Sequence, residues 1–369
     1  MENIIDSTPT STLSAHYLRR LTDDTGIFQH TKFGIPDRSK GYTSDDNARA
    51  LIAAVLLYKT KQDQASLDLV HTYLAFIYHA QNENGSFRNF MDYNRTFIEK
   101  TGSEDCQGRC LWALGVTIAE PSIPDNLQNT CKFMINRALP FLENIRAPRA
   151  IGYALIGLTT MLETPDALTY TFPFATGERS GASFLPRARI EALIQNMGIR
   201  LHNLYQGHAS ADWHWFEDKV TYGNAMLPWA LFKASQFSNT AAFQQTARES
   251  LDFLAELTFT DEGYFKPIGS HGWLQRGKPA APYDEQPIEA SEMLMACYEA
   301  YKVLGVQKYH DQALLCYQWF HGRNSRNESL IDRQTGGCYD GIHAVGLNLN
   351  QGSENIVSYC MAHAVMGNE

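Results

Sequence analysis

Two helical rhythms alternate along this chain. One recurs six times: a polar, often acidic cluster runs straight into a helix rich in Ala, Gly, Leu and Met. It reads SDDNARALIAAVLLY from Ser44, SEDCQGRCLWALG from Ser103 and RAPRAIGYALIGL from Arg146. It returns as TYGNAMLPWALF from Thr221, DEQPIEASEMLMACYEAY from Asp284 and NQGSENIVSYCMAHAV from Asn350. A helix apolar on nearly every face, with few charges after its first turn, is buried on all sides. The second rhythm spaces apolar residues three and four apart, as in ASLDLVHTYLAFIYHAQ from Ala65. That spacing predicts an amphipathic helix with one wet face. Residues 126–142, 188–204, 241–257 and 309–321 behave alike, and a first such helix fits around 14–21.

The two kinds alternate, outer then inner, six times. Consecutive helices joined by short links lie side by side and antiparallel. Six such hairpins closed into a ring predict an all-α fold, an (α/α)6 toroid of twelve alternating helices. No linker rich in Pro, Gly or Ser interrupts it, so one domain is expected over residues 1–369. Links from inner to outer helices are often short, as at 59–63. Those from outer to inner are mostly long and carry Gly, aromatics and charge: 23–42, 82–102, 207–220, 260–283 and 333–349. Long loops in a compact domain are usually functional. All five enter at the rim where inner helices start, which predicts a loop-built site over the mouth of the barrel.

Acids collect at that rim. Asp45 and Asp46 open one inner helix, Glu104 and Asp105 another. Asp218 precedes a third and Glu285 a fourth, with Glu354 at the start of the last. A single acid at a helix start is explained by capping of the free N–H groups. Several starts carry two carboxylates, more than a cap needs. Convergent carboxylates are what cleavage of a glycosidic bond requires: one protonates the leaving oxygen, the other activates water or attacks the sugar carbon. Crowding raises the pKa of one member and so separates acid from base. Asp46, Asp105, Asp218 and Glu285 are the acid/base candidates, with Asp45, Glu104 and Glu354 in support. Arg49 and Arg109 repeat one offset in two inner helices; they are expected to pair with the acids and orient them over a substrate. Trp213, His214, Trp215, Tyr222, His271 and Trp273 interleave with the acids and are the candidates for sugar binding, since sugars present flat C–H faces and hydroxyl edges. The competing role for loop aromatics is anchorage to the core.

Composition narrows the partners. The net charge is −9 and there is no lysine-rich run, so the footprint of a nucleic-acid binder is missing. No apolar run approaches the roughly 20 residues of a membrane span. The opening MENIIDSTPTSTLSAHYLRRL has no basic region followed by an apolar stretch, so no signal peptide is expected. Seven scattered cysteines then read as reduced thiols in a cytoplasm. Cys106 and Cys110 stand one helical turn apart with no further ligand at zinc spacing, so no metal is expected. Nor is a cofactor: a Walker loop, a GxGxxG turn and a G-x-S-x-G elbow are all missing.

The alternation of twelve helices with acidic inner starts resembles the six-hairpin glycosidase-like superfamily. The strings YTSDDNARAL, SEDCQGR, WFEDKVTYGNAMLP, DEQPIEA, TGGCYDG and NQGSEN are similar to bacterial proteins encoded beside, or fused to, glycosyltransferases in polysaccharide gene clusters. The resemblance implies an (α/α)6 toroid, an oligosaccharide substrate and a glycosyltransferase as partner. No nucleotide-sugar domain accompanies it. Hydrolases of the superfamily use Asp/Glu pairs and commonly invert. Epimerases of the N-acylglucosamine 2-epimerase type rely on paired histidines near inner-helix ends, and here His214, His271 and His343 lie at the rim. The excess of acids favours a glycoside hydrolase. A sugar 2-epimerase and a non-catalytic glycan-binding partner of a glycosyltransferase are the alternatives.

Overall fold

The computed structural model describes residues 15–165, 167–171 and 182–367. Among them are twelve α-helices: α1 (His16–Arg20), α2 (Ser44–Lys61), α3 (Gln64–Ala80), α4 (Glu104–Ala119), α5 (Asp125–Leu142), α6 (Pro148–Leu162), α7 (Arg187–His208), α8 (Met226–Ser238), α9 (Ala241–Thr258), α10 (Pro287–Leu304), α11 (Gln307–Phe320) and α12 (Ser353–Met366). Each even-numbered helix packs on the next even one, and α12 packs on α2, which closes the inner ring. The odd-numbered helices form the jacket, with α1 lying against α12. The expected alternation is therefore the observed one: the fold is an (α/α)6 toroid.

Local chemistry sets the hairpins. Thr43 caps α2 by accepting the Asp46 N–H, and Ser103 does the same for Cys106 in α4. Gln62 ends α2 in the left-handed region and Asp63 at once caps α3, so two residues reverse the chain. Gly305 ends α10 with φ +66, a conformation open to glycine at no steric cost. Pro148 and Pro287 start α6 and α10, where a missing N–H costs nothing. One buried apolar cluster runs from Ala15 to Met366 through all six hairpins. α4 and α6 approach until their backbones touch: a Cβ on Gly115 would sit 2.1 Å from the Gly157 carbonyl oxygen.

Three boundaries differ from the sequence reading. The first outer helix spans only His16–Arg20, and Ser14 lies outside the described residues. The fourth inner helix starts at Met226 rather than near Thr221, because Asn224 folds back to accept the Thr221 N–H. The α6–α7 link is long for an inner-to-outer connection and carries a strand pair, Thr169–Thr171 with Ala182–Phe184.

Short strands stitch the rim loops together. Tyr42–Thr43, before α2, pairs with Phe90–Met91, before α4. Lys219–Val220, before α8, pairs with Leu274–Gln275, before α10. Glu285 bridges to Ile342, joining the loops before α10 and α12. The ring is closed at the same level by the Ser353 N–H on the Gln29 carbonyl and the Gln351 N–H on Thr31 Oγ1. The loops thus form a collar that links the starts of α8, α10, α12, α2 and α4 along the barrel mouth.

Candidate active site

Under the collar, at the starts of α2 and α12, lies a polar cavity of about 300 Å³. That is at the lower end of pockets that enclose a small ligand, about 300–1,000 Å³. Five carboxyl groups line it: Asp45, Asp46, Asp284, Asp340 and Glu354. Arg49, Arg109, His30 and His343 supply the basic groups, and Phe90, 45% exposed, gives an aromatic wall.

The arginines organise the acids. Arg49 donates to Asp46 Oδ1 at 2.9 Å through one terminal nitrogen and to Glu354 Oε2 at 2.6 Å through the other. Arg109 lies 3.2 Å from Asp45 Oδ2 and donates to the Tyr153 hydroxyl at 3.3 Å. Asp46 is 3% exposed, and Thr43 Oγ1 donates to its second oxygen at 2.7 Å. Burial pushes the Asp46 carboxyl above its ordinary range, with the neighbouring Glu354 and Asp45 adding to the rise against Arg49. Glu354 goes the other way. Burial would raise it, but the Arg49 and Arg109 guanidiniums outweigh that and hold it below the usual value. Its side chain is 38% exposed, open to the cavity.

Asp340 and His343 come from the last rim loop. Asp340 Oδ1 accepts the Gly352 N–H at 2.6 Å and a bond from Asn355. Burial raises its carboxyl despite those two donors. Across the mouth, Asp284 Oδ1 lies 3.1 Å from His343 Nδ1, the spacing that orients an imidazole.

The structure gathers five of the sequence candidates at this cavity: Asp45, Asp46, Arg49, Arg109 and Glu354. Asp105 and Tyr222 meet beside it instead. The Tyr222 hydroxyl donates to Asp105 Oδ2 at 2.6 Å, and Arg149 lies 4.9 Å from the ring centre while pairing with Glu217 at 2.7 Å.

The remaining candidates lie elsewhere. Glu285 is fully buried and faces away, accepting from Trp319 Nε1 at 3.1 Å and from Ser325. It anchors the segment after α11. Asp218 is on the outer edge, its side chain 71% exposed and 3.8 Å from Arg276. Glu104 accepts the Arg146 and Ala147 N–H groups and so fixes the link into α6. Trp213 and Trp215 are core residues packed on Phe253, with Trp213 Nε1 donating to the Glu217 carbonyl. His214 lies against Tyr205 and Phe253. His271 is exposed and Trp273 half-buried in the turn 270–273, and neither lines the cavity.

Asp284 and Asp340 line the cavity beside the sequence candidates, and of the rim histidines His214, His271 and His343 only His343 reaches it. His30, Asn89 and Asn355 carried no local signal, having no adjacent acid pair. Among the described residues no three His, Cys, Asp or Glu side chains are grouped to hold a metal, and no helix is long and apolar enough to cross a membrane. The seven cysteines are free and buried.

No protein-family profile and no curated protein matches the chain. Solved structures do. A sugar epimerase from a ruminal bacterium superposes with a TM-score of 0.70 at 13% identity, covering 96% of this chain and 97% of the other. Cellobiose 2-epimerase from Bacillus thermoamylovorans B4167 gives 0.70 at 11% identity, covering 95% of each. A GH76 α-mannanase from Bacteroides thetaiotaomicron gives 0.62 at 10% identity, covering 96% and 93%. At such identities the likeness is one of fold, and its range across epimerases and hydrolases leaves the reaction to the site. The chain thus shares the (α/α)6 toroid fold of these proteins.

Proposed function

We propose that this protein is a carbohydrate-active enzyme that cleaves a glycosidic bond of an oligosaccharide held at the α2/α12 end of the mouth. One observation carries the reading: two carboxyl groups on the same cavity are pushed in opposite directions. Burial raises the Asp340 carboxyl, and two guanidiniums hold Glu354 below its ordinary value. Paired carboxyls with separated pKa values are the working parts of glycoside hydrolysis. Asp340 Oδ2 accepts no hydrogen bond among the described residues, which leaves it for a leaving oxygen. Glu354 takes a proton from water or attacks the anomeric carbon. Asp46, with both oxygens engaged and little exposure, serves Arg49 rather than the substrate. Phe90 offers a flat wall for a sugar face, and Asn89, Asn348 and Asn355 offer donors and acceptors to its hydroxyls.

A second reading has its own observation. In it, His343 against Asp284 and His30 on the same cavity are the base and acid that remove and return a ring proton. That is sugar epimerisation, the activity named for two of the similar structures.

One experiment separates them. Manno-, gluco-, galacto- and uronic-acid oligosaccharides are incubated with the protein in deuterated water, with and without phosphate, and followed by NMR. Cleavage gives a new anomeric signal whose first configuration distinguishes retention from inversion. Deuterium at a ring carbon without a new reducing end replaces hydrolysis by epimerisation. Binding without either change leaves the glycan-binding partner of a glycosyltransferase as the better account.

A further inference from the structure

A second set of polar groups lies deeper in the barrel. Arg109, at the cavity, donates to the Tyr153 hydroxyl at 3.3 Å, and that hydroxyl donates to Glu292 Oε1 at 3.1 Å. The guanidinium also lies 5.0 Å from the Tyr153 ring centre. One ion pair and two hydrogen bonds therefore connect Asp45 through Arg109 and Tyr153 to Glu292, crossing from α2 through α4 and α6 to α10. Its far end is incomplete. Glu292 is 3% exposed and its Oε2 has no partner among the described residues; Arg109 Nε is also unpaired. Gly223, at φ +55, passes so close that a Cβ there would lie 3.3 Å from Oε2 and 3.0 Å from the Tyr153 oxygen.

An unpaired buried carboxylate is costly, and a neutral carboxyl is much less so. Burial pushes Glu292 up to about 8, and Glu289 one turn earlier adds to the rise. Arg109, Tyr153 and Arg49 oppose it. The other charges nearby are committed. Glu289 accepts from Gly223 and Asn224. Lys233, the one charge on α8, pairs with Glu163. On α12, Glu354 is held by Arg49 and His363 by Tyr317. On the outer helices, Lys308 of α11 pairs with Asp252 of α9.

We propose that Glu292 is a positioning residue for the mouth: in its neutral form it accepts the Tyr153 hydroxyl, and through it holds Arg109 against Asp45. Ionised, it draws the guanidinium inward and loosens the Arg109–Asp45 pair. The geometry of the cavity then follows the protonation of a side chain that touches no substrate. The effect on turnover rests on the function proposed above; the movement of Arg109 does not.

The structure contains its own reporter. Trp112 stacks on Tyr153 with ring centres 5.9 Å apart and planes at 17°. Tryptophan fluorescence of the whole protein is followed between about pH 6 and 9, below the titration of ordinary tyrosines near 10. A step centred near pH 8 is expected in the wild type and is lost in both Glu292→Gln and Trp112→Phe. A flat wild-type trace, or a step that survives in Glu292→Gln, overturns the proposal. Should Glu292→Gln fail to fold by circular dichroism, Tyr153→Phe takes its place: the step must shrink severalfold, and an unchanged step overturns the proposal. Given a substrate, the fall in kcat across the step is about tenfold larger in the wild type than in Glu292→Gln, which keeps only the fall due to Asp340. The optical result with no turnover of any glycan supports the positioning role and counts against the functional reading.

Discussion

Arg49 and Glu354 meet at 2.6 Å although they stand 305 positions apart. The same guanidinium reaches Asp46 with its other terminal nitrogen. One positive charge therefore serves two acids on the helices that close the ring. Replacing it with lysine keeps the charge but not the two-pronged geometry. Loss of one charge-assisted bond is worth about 1.5–3 kcal/mol, or about 10- to 100-fold in rate. Arg49→Lys is expected to lower kcat by that range and to move the acidic limb of the pH–rate profile upward, because a lysine that bonds one acid at a time holds Glu354 less firmly. A limb that stays in place would count against this role.

For Asp340 and Glu354 the prediction is sharper. Removal of a general acid or base costs about 10²–10⁴-fold in kcat. Asp340→Asn and Glu354→Gln should each show that loss with melting temperatures close to the wild type, measured on the same preparations. The wild-type profile should be a bell. Its acidic limb, set by Glu354, falls below the ordinary carboxylate range, and its basic limb, set by Asp340, lies above it. If Asn at 340 removes neither activity nor the basic limb, the proton donor is another group.

Glu292 also makes a thermodynamic prediction, independent of catalysis. The unfolded chain releases this proton near 4.5, while the folded one keeps it to about 8. Folding takes up a proton between those values, so the group's contribution is intact below about pH 4.5, declines through the interval and levels off above 8. Glu292→Gln removes the decline. Calorimetry at pH 5, 6.5 and 8 should show the variant gaining on the wild type as pH rises. A constant difference would mean that Glu292 ionises as an exposed acid does.

The contact between α4 and α6 allows no side chain at Gly115. Gly115→Ala is expected to destabilise by about 1–3 kcal/mol or more, since overpacking forces backbones apart. Urea unfolding measures it. Gly207, whose Cβ would meet nothing within 4 Å, is the matched control and should tolerate alanine.

Glu285 tests the division between site and scaffold. Its carboxylate is spent on Trp319 and Ser325, so Glu285→Gln should lower stability by about 1–3 kcal/mol and leave kcat within a few-fold. His271→Ala and Trp273→Ala should leave glycan affinity unchanged by calorimetric titration.

The toroid was legible because its determinants are local. Caps at Thr43 and Ser103, small-residue helices and short links such as Gln62–Asp63 all fall within a few residues of sequence. The acids of α2 and α12 were legible for the same reason: a helix start aimed at a common axis fixes where Asp45, Asp46 and Glu354 go. Loop residues were not. Asp284 and Glu285 are neighbours in a segment where Glu285 bridges to Ile342, and in extended chain successive side chains point to opposite faces. One acid enters the cavity and the other enters the core, and composition does not say which. Trp213 and Trp215 show the converse, two residues of equal parity both turned inward onto Phe253. His30 reaches the cavity only because its loop is stitched to Tyr42 and Ser353, pairings of long range that no local pattern announces.

The closure of α12 on α2 has a consequence for the order of synthesis. Arg49 leaves the ribosome 305 residues before Glu354, its partner in the site. Until then the growing chain carries an open arc of helices whose apolar edges on α2 and α10 have no neighbour. Such exposed surface is what chaperones bind and what drives misassembly in large chains. A nascent chain halted before Ser353 would contain every described helix but α12 and a cavity open on one side, so the site would be completed in a single late step rather than accrue with length.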